Sequence, residues 1–288
     1  MAYDDAIFRE KLHQYTFLGV DICSRTEAKQ WSRFNEQYDL EHLMEGKAQT
    51  IDSLVNGLAG KKILEVGSGT GGLAVAMARL GAQVVGVEPE ESACAAACLR
   101  SARYDGLQTE FTQGFGETLP FEDSSFDAVV LLEVIEHVND TKRVMSEISR
   151  VLKPGGICLL EAPNFLWPRE EHYRIWYPPL IPKPLGKIYI RLLRKNPDEL
   201  DNINYVTPRR LRSLFTSHNF QQIEDYSQET FLDRVRNPET MAWSARMKTI
   251  LLTLRRVPLL YPLIIKFAEI TIRSGFYPHM KFKAVKQI

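Results

Sequence analysis

The stretch LEVGSGTGG at residues 64–72 decides the fold, because it joins a short apolar run, KILEV at 62–66, to a helical pattern at 71–80. Gly67, Gly69, Gly71 and Gly72 let the backbone turn tightly, so that a ligand can approach the main chain while the following helix offers unpaired N–H groups to an anion. Outward from this turn lie four more apolar runs, QVVGV at 83–87, TEFTQ at 109–113, DAVVLL at 127–132 and ICLLEA at 157–162, with helical patterns at 91–104 and 140–152 between them. Strands alternating with helices predict an α/β fold, a doubly wound and mostly parallel sheet with helices on both faces. The turn itself leaves two cofactors open. Gly67, Gly69 and Gly72 satisfy the dinucleotide pattern G-x-G-x-x-G, and Glu88, 21 residues beyond Gly67, can accept hydrogen bonds from ribose hydroxyls, as NAD would also require.

The flanks read differently. Up to Ala59, residues such as Trp31, Phe34, Tyr38, Leu43, Ile51 and Leu58 recur at helical spacing and predict a helical cap over 1–59. After Pro163, seven of the fifteen prolines fall between Pro163 and Pro197 among Phe165, Trp167, Tyr173, Trp176 and Tyr177, so 164–206 is expected to be an irregular, aromatic lid or substrate loop. Thr207 and Pro208 then signal a helix start, Phe220–Ser227 reads as a strand, and MKFKAVKQI at 280–288 is the last strand candidate. Residues 239–273 read as one or two basic amphipathic helices inserted before it. The whole chain, 1–288, is expected to be one domain with its cofactor core at 60–163.

Composition narrows the class further. The chain has 36 basic and 36 acidic side chains, so its global charge gives no reason to invoke nucleic acid. That zero conceals a split: residues 1–144 carry 13 basic and 23 acidic side chains, and residues 145–288 the reverse. Cys23, Cys94, Cys98 and Cys158 are too irregularly placed for a disulfide framework and suggest a reduced, cytoplasmic setting. Cys94 and Cys98 share one helical face and are expected to pack there rather than bind metal. The polar amino terminus is read as neither signal nor transit peptide, and the apolar stretch 250–272 is broken by charges and by Pro258 and Pro262.

Five blocks make the chain resemble the class I S-adenosylmethionine-dependent methyltransferases. LEVGSGTGG resembles their first motif, VGVEPE supplies the ribose-binding acid, GETLPFEDSSFDAVVLLEVIEHV is similar to the run from the adenine loop through the fourth strand, and VLKPGG to the turn opening the fifth. FQQIEDY with its preceding helix looks like their penultimate unit. Within the family, EVIEHV is most similar to the ubiquinone-pathway O-methyltransferases and related small-molecule enzymes. The resemblance implies a seven-stranded Rossmann-like sheet with an antiparallel last strand, S-adenosyl-L-methionine as cofactor and S-adenosyl-L-homocysteine as product. It places Glu65 beneath the loop, the backbone of Gly67, Ser68, Gly69 and Gly71 at the methionine end, Glu88 with Pro89 at the ribose, and Gly116 with Glu117 at the adenine. The chain departs from many members in having Phe115 two residues before Glu117, where an Asp is frequent.

Glu133, at the end of the fourth strand, is expected either at the methionine or substrate, or as a cap for the helix after EVIEHV. Glu133, Glu136 and His137 could form a carboxylate–imidazole cluster, but a capping Glu with a hydrogen-bonded His is the favoured reading and no metal is assigned. His172, in the lid, is the candidate general base. Small-molecule O-methylation is the first choice, with N- or C-methylation, a nicotinamide-dependent oxidoreductase and a silent cofactor-binding protein as alternatives. Residues 241–288 carry nine basic side chains and one acid, Glu269, among many aliphatics, which suits a lipid-linked or anionic acceptor or a peripheral membrane contact. The plainer alternative is a cap whose apolar face packs on the sheet and whose basic face is solvated.

Overall fold

The computed structural model describes residues 3–18, 27–240, 245–257 and 260–288; Cys23 and part of the 239–273 insert lie outside the described residues. Helices α1 (Asp5–His13), α2 (Glu27–Tyr38), α3 (Leu40–Leu43) and α4 (Glu45–Leu54) precede β1 (Lys62–Val66), α5 (Gly72–Arg79), β2 (Gln83–Glu88), α6 (Glu91–Ser101) and β3 (Thr109–Gln113). β4 (Phe126–Leu132), α7 (Thr141–Val151) and β5 (Leu152–Pro163) complete the core, followed by the short strands β6 (Arg169–Glu170) and β7 (Ile175–Trp176) and by α8 (Lys183–Leu192). The chain continues through α9 (Pro208–Thr216), β8 (Phe220–Asp225), α10 (Ser227–Arg236), α11 (Ala245–Leu254), α12 (Leu260–Arg273) and β9 (His279–Lys286).

Seven strands form one sheet in the order β3-β2-β1-β4-β5-β9-β8. β1 to β5 run parallel, and β9 lies antiparallel between β5 and β8. A dinucleotide fold instead continues its sheet with another parallel strand beside the fifth. The central strands are buried on both faces: Leu64, Val66, Val129 and Leu131 face one core layer, and Ile63, Val84, Ala128 and Val130 the other. This is why they read as continuous apolar runs. On the first face, α7 buries Val144, Met145, Ile148 and Val151, each contributing roughly 1.5–3 kcal/mol. Its start is fixed by the Asp140 carboxylate, which accepts from the N–H groups of Lys142 and Arg143 at 2.9 and 3.1 Å.

The lid region is more regular than its sequence suggested. Residues 164–206 contain the β6–β7 hairpin and the ten-residue helix α8. The prolines explain this, since Pro178, Pro179 and Pro182 precede α8 and Pro184 sits in its first turn, where a missing N–H costs nothing. Tyr173 and Tyr177 pack with Ile190 and Leu200 into a small core of their own. The strand expected to end at Ser227 stops at Asp225, and Ser227 opens α10. The carboxyl-terminal helices also differ from the simple amphipathic picture. Tyr261, Ile264, Ile265 and Ala268 of α12 pack toward Val235 and Leu251, yet Leu260, Leu263, Phe267 and Ile270 face outward, 40–68% exposed.

Candidate active site

The site grows from the ends of β1, β2 and β4. Gly67 and Ser68 donate to the Val87 carbonyl at 2.8 and 3.1 Å, which folds the loop across the end of β2. Gly67, Gly69 and Gly71 all have φ between +51° and +77°, so L side chains are disfavoured at each. They serve different ends. A Cβ on Gly67 would meet Val134 at 2.4 Å and one on Gly71 would meet Ala97 at 2.7 Å, whereas one on Gly69 would meet nothing within 4 Å. Gly69 therefore leaves open space, and Gly71 permits close packing of α5 on α6.

Glu88 closes the loop from β2: Oε2 accepts from Gly69 N–H at 2.8 Å and Oε1 from Glu90 N–H at 3.1 Å. Burial raises its carboxyl above the usual range while these backbone donors oppose the shift. Glu65 lies deeper in β1, its carboxyl pushed up to about 8 by burial and by the charge of Glu88. Ser68 is also buried.

A cleft of about 860 Å³ opens over the loop. Its lining includes Gly67, Gly69, Glu88 and Pro89, Gly116 and Glu117, and Glu133, His137 and His172. Glu65, Ser68 and Gly71 sit behind this surface. Phe115 stands 60% exposed and also lines the cleft. The Glu117 carboxylate is used structurally, accepting from Asn139 N–H at 2.8 Å. Tyr15, Thr16 and Arg33 reach the cleft from the amino-terminal helices and Glu199, Asn202 and Ile203 from the lid, residues that no local pattern singles out. Arg33 Nη2 donates to the Tyr15 hydroxyl at 3.3 Å.

Glu133 does not cap a helix. Residues 135–137 form a turn, α7 begins only at Thr141, and Asp140 is its cap. Glu133 has φ +56° and its N–H is tied to the Glu161 carbonyl at 2.9 Å, which carries its carboxylate toward His279 Nδ1 at 3.4 Å. That contact raises the His279 pKa. Instead of the possible grouping of Glu133, Glu136 and His137, ligand atoms of Glu136, His137 and His172 lie within 4.8 Å of one another. Glu136 is fully buried, and burial with the nearby charge of Glu133 pushes its carboxyl up to about 8.

Open space at Gly69, a carboxylate at the end of β2 and a cleft of this volume fit a nucleoside-bearing cofactor. Six acids, Glu88, Glu90, Glu91, Glu117, Glu133 and Glu199, line the cleft, which favours a cationic one.

The sequence comparisons agree with this geometry. The family described as a methyltransferase domain matches residues 64–160. Ubiquinone biosynthesis O-methyltransferases of Pseudomonas fluorescens and Acinetobacter baumannii are 40% and 35% identical over 127 and 130 residues, 44% and 45% of this chain and 54% and 55% of theirs. The chain thus spans about half the length of these curated relatives. The phosphoethanolamine N-methyltransferase 2 of Haemonchus contortus shares the fold with a TM-score of 0.56 at 19% identity, over 98% of this chain and 60% of that one. A putative sarcosine dimethylglycine methyltransferase from Galdieria sulphuraria does so with a TM-score of 0.52 at 15% identity, over 98% and 99%. Residues 64–160 thus match a methyltransferase-domain family, and the glycine turn and the sheet order with its reversed β9 agree with that match.

Proposed function

We propose that the protein transfers a methyl group from S-adenosyl-L-methionine to a hydroxyl of a small, lipophilic or anionic acceptor. The observation that carries the cofactor reading is the Glu88–Gly69 contact in the lining of an acid-rich cleft. Glu88 would accept from the ribose hydroxyls, the backbone of Gly67 and Gly69 would meet the methionine end, and Gly116 would flank the adenine. The bound cofactor supplies a methyl group already activated by positive sulfur. What the chain must add is alignment, exclusion of water and a place for the acceptor's proton. His172 lines the same cleft and is the residue for that proton.

Thermal unfolding tests this directly. S-adenosylhomocysteine should raise the melting temperature and NAD should leave it unchanged, and Gly69→Arg, which fills the open space, should abolish the response. Stabilisation by NAD alone would replace the reading with an oxidoreductase. For the acceptor, the outward apolar row of α12, in a segment that also exposes the cations Arg256, Lys266 and Arg273, supports contact with an anionic membrane surface from which a lipophilic acceptor is taken. No helix among the described residues is long and apolar enough to cross a membrane.

A further inference from the structure

Helix α8 of the lid packs by one face. Gly186 and Ile190 are buried on it, and a Cβ added at Gly186 would collide with the Tyr177 hydroxyl, which bonds the Tyr205 hydroxyl at 2.7 Å. Lys183 Nζ donates to the Asp201 carbonyl at 2.9 Å, and Lys187 pairs with the Asp201 carboxylate. These contacts fix the roll of the helix. Its other face carries Leu185, Ile188 and Leu192, spaced i, i+3 and i+7 in one row and 53–76% exposed. Rolling α8 to bury that row would drive Gly186 out of its seat against Tyr177. Trp176 and Leu180, shortly before the helix, are exposed as well, and the Trp176 carbonyl accepts from the hydroxyl of Tyr189 in α8 at 3.0 Å. A contiguous apolar row of this kind on a firmly seated helix marks a contact surface.

The charge of the segment says what covers it. Residues 172–197 carry six Lys or Arg, namely Arg174, Lys183, Lys187, Arg191, Arg194 and Lys195, and no acid. Arg174, Arg191 and Arg194 are exposed. A nucleic acid would match these cations but leave the leucine row in water. A second copy would match the row but set two cationic segments against each other. A bilayer with anionic headgroups satisfies both, with the aliphatic side chains in the acyl boundary and the guanidinium groups among the phosphates. We propose that α8 seats the lid on an anionic bilayer. The contact is separate from that of α12 and lies closer to the chemistry in the chain, because the segment starts at His172 and leads into Glu199, Asn202 and Ile203, all of which line the cleft. Lipid contact at α8 therefore bears on a wall of the cleft itself.

Flotation of the full chain with lipid vesicles tests this. The wild type should bind vesicles containing phosphatidylglycerol, bind pure phosphatidylcholine weakly, and release as salt rises. Leu185→Gln combined with Ile188→Gln and Leu192→Gln keeps helix propensity and charge, and should lower the partition coefficient at least about 10-fold. Its melting temperature should not change, since the three side chains already stand in water. Arg191→Gln with Arg194→Gln should lower binding to the anionic vesicles about 10- to 30-fold and leave binding to neutral ones as it was. Trp176 locates the contact: brominated phosphatidylglycerol should quench the tryptophan fluorescence of the wild type, and the quenching should drop in Trp176→Phe. Failure of the wild type to bind, equal binding to neutral vesicles, equal binding of the triple variant, or quenching unchanged in Trp176→Phe would each overturn the proposal. So would a wild-type dimer that the triple variant converts to monomer, because a second copy would then be the occupant. None of these readouts uses S-adenosylmethionine, so the methyltransferase reading stands or falls separately.

Discussion

At the scale of single residues, the glycine turn is held by packing as much as by ligand chemistry. Gly67 combines φ +72° with a Val134 methyl 2.4 Å from where its Cβ would stand. Gly67→Ala should therefore cost at least about 2 kcal/mol, from left-handed strain and overpacking together, and Val134→Ala should restore the packing share. Chemical denaturation of the single and double variants checks this. Glu65 gives a pH signature. Its carboxyl is raised from 4.5 to about 8 in the folded chain, so on raising the pH the unfolded chain releases this proton first and gains stability relative to the fold. Wild-type stability should decline between about pH 4.5 and 8, and Glu65→Gln should flatten that decline. Glu136, also raised to about 8, keeps a residual slope of the same sign. Melting temperatures across this pH range, with and without Glu65→Gln, decide the point.

At the scale of elements, the amino-terminal helices are tied to the cofactor loop through one wholly buried cation. Arg100 of α6 donates from Nε to the Thr70 carbonyl at 2.7 Å and from its remaining nitrogens to the carbonyls of Gln37 and Tyr38 and to the buried Glu41. Thr70 Oγ1 donates to Gln37 Oε1 at 2.6 Å, and Phe8, Leu12 and Phe34 pack on Ala96 and Leu99 around the same joint. Removing one member of such a pair leaves the other charge buried, at a cost of roughly 3–5 kcal/mol. Arg100→Met should show that loss in urea denaturation, together with faster amide exchange at Gly69 and Gly71. Adding Glu41→Leu should recover little of the stability, because Arg103 and the Tyr104 hydroxyl, which also donate to Glu41 at 3.0 and 3.1 Å, then lose their acceptor. A loop unaffected by Arg100→Met would show that the amino-terminal helices merely cover it.

At the scale of the whole molecule, the acidic half lines the cofactor cleft and the basic half presents α12. If the outward row of α12 meets a membrane, the protein should sediment with vesicles of phosphatidylglycerol and less with neutral ones, and more weakly as salt rises. Leu263→Glu with Phe267→Glu should reduce that sedimentation at unchanged melting temperature, since both side chains are more than 60% exposed and add little to the core. Equal sedimentation of this variant would remove α12 from the contact.

The sequence by itself determined the alternating strands and the glycine turn at the heart of the sheet. KILEV, QVVGV and the GSGTGG turn appear where their apolar runs and glycines placed them, because both faces of a central strand are buried and a tight turn tolerates few residues. Local patterns also placed Thr207 as the cap of α9 and β9 as the last strand. They could not say that Glu133 would turn toward His279, that Asp140 would cap α7, or that proline spacing would leave room for α8. Nor could they bring Tyr15, Arg33 and His172 to one cleft or bury Arg100 against Glu41. Those pairings join residues far apart in the chain, and their geometry follows from how the lid and the amino-terminal helices pack on the sheet. Periodicity reports which face a residue shows to the core, whereas only the tertiary structure decides which side chain it meets there.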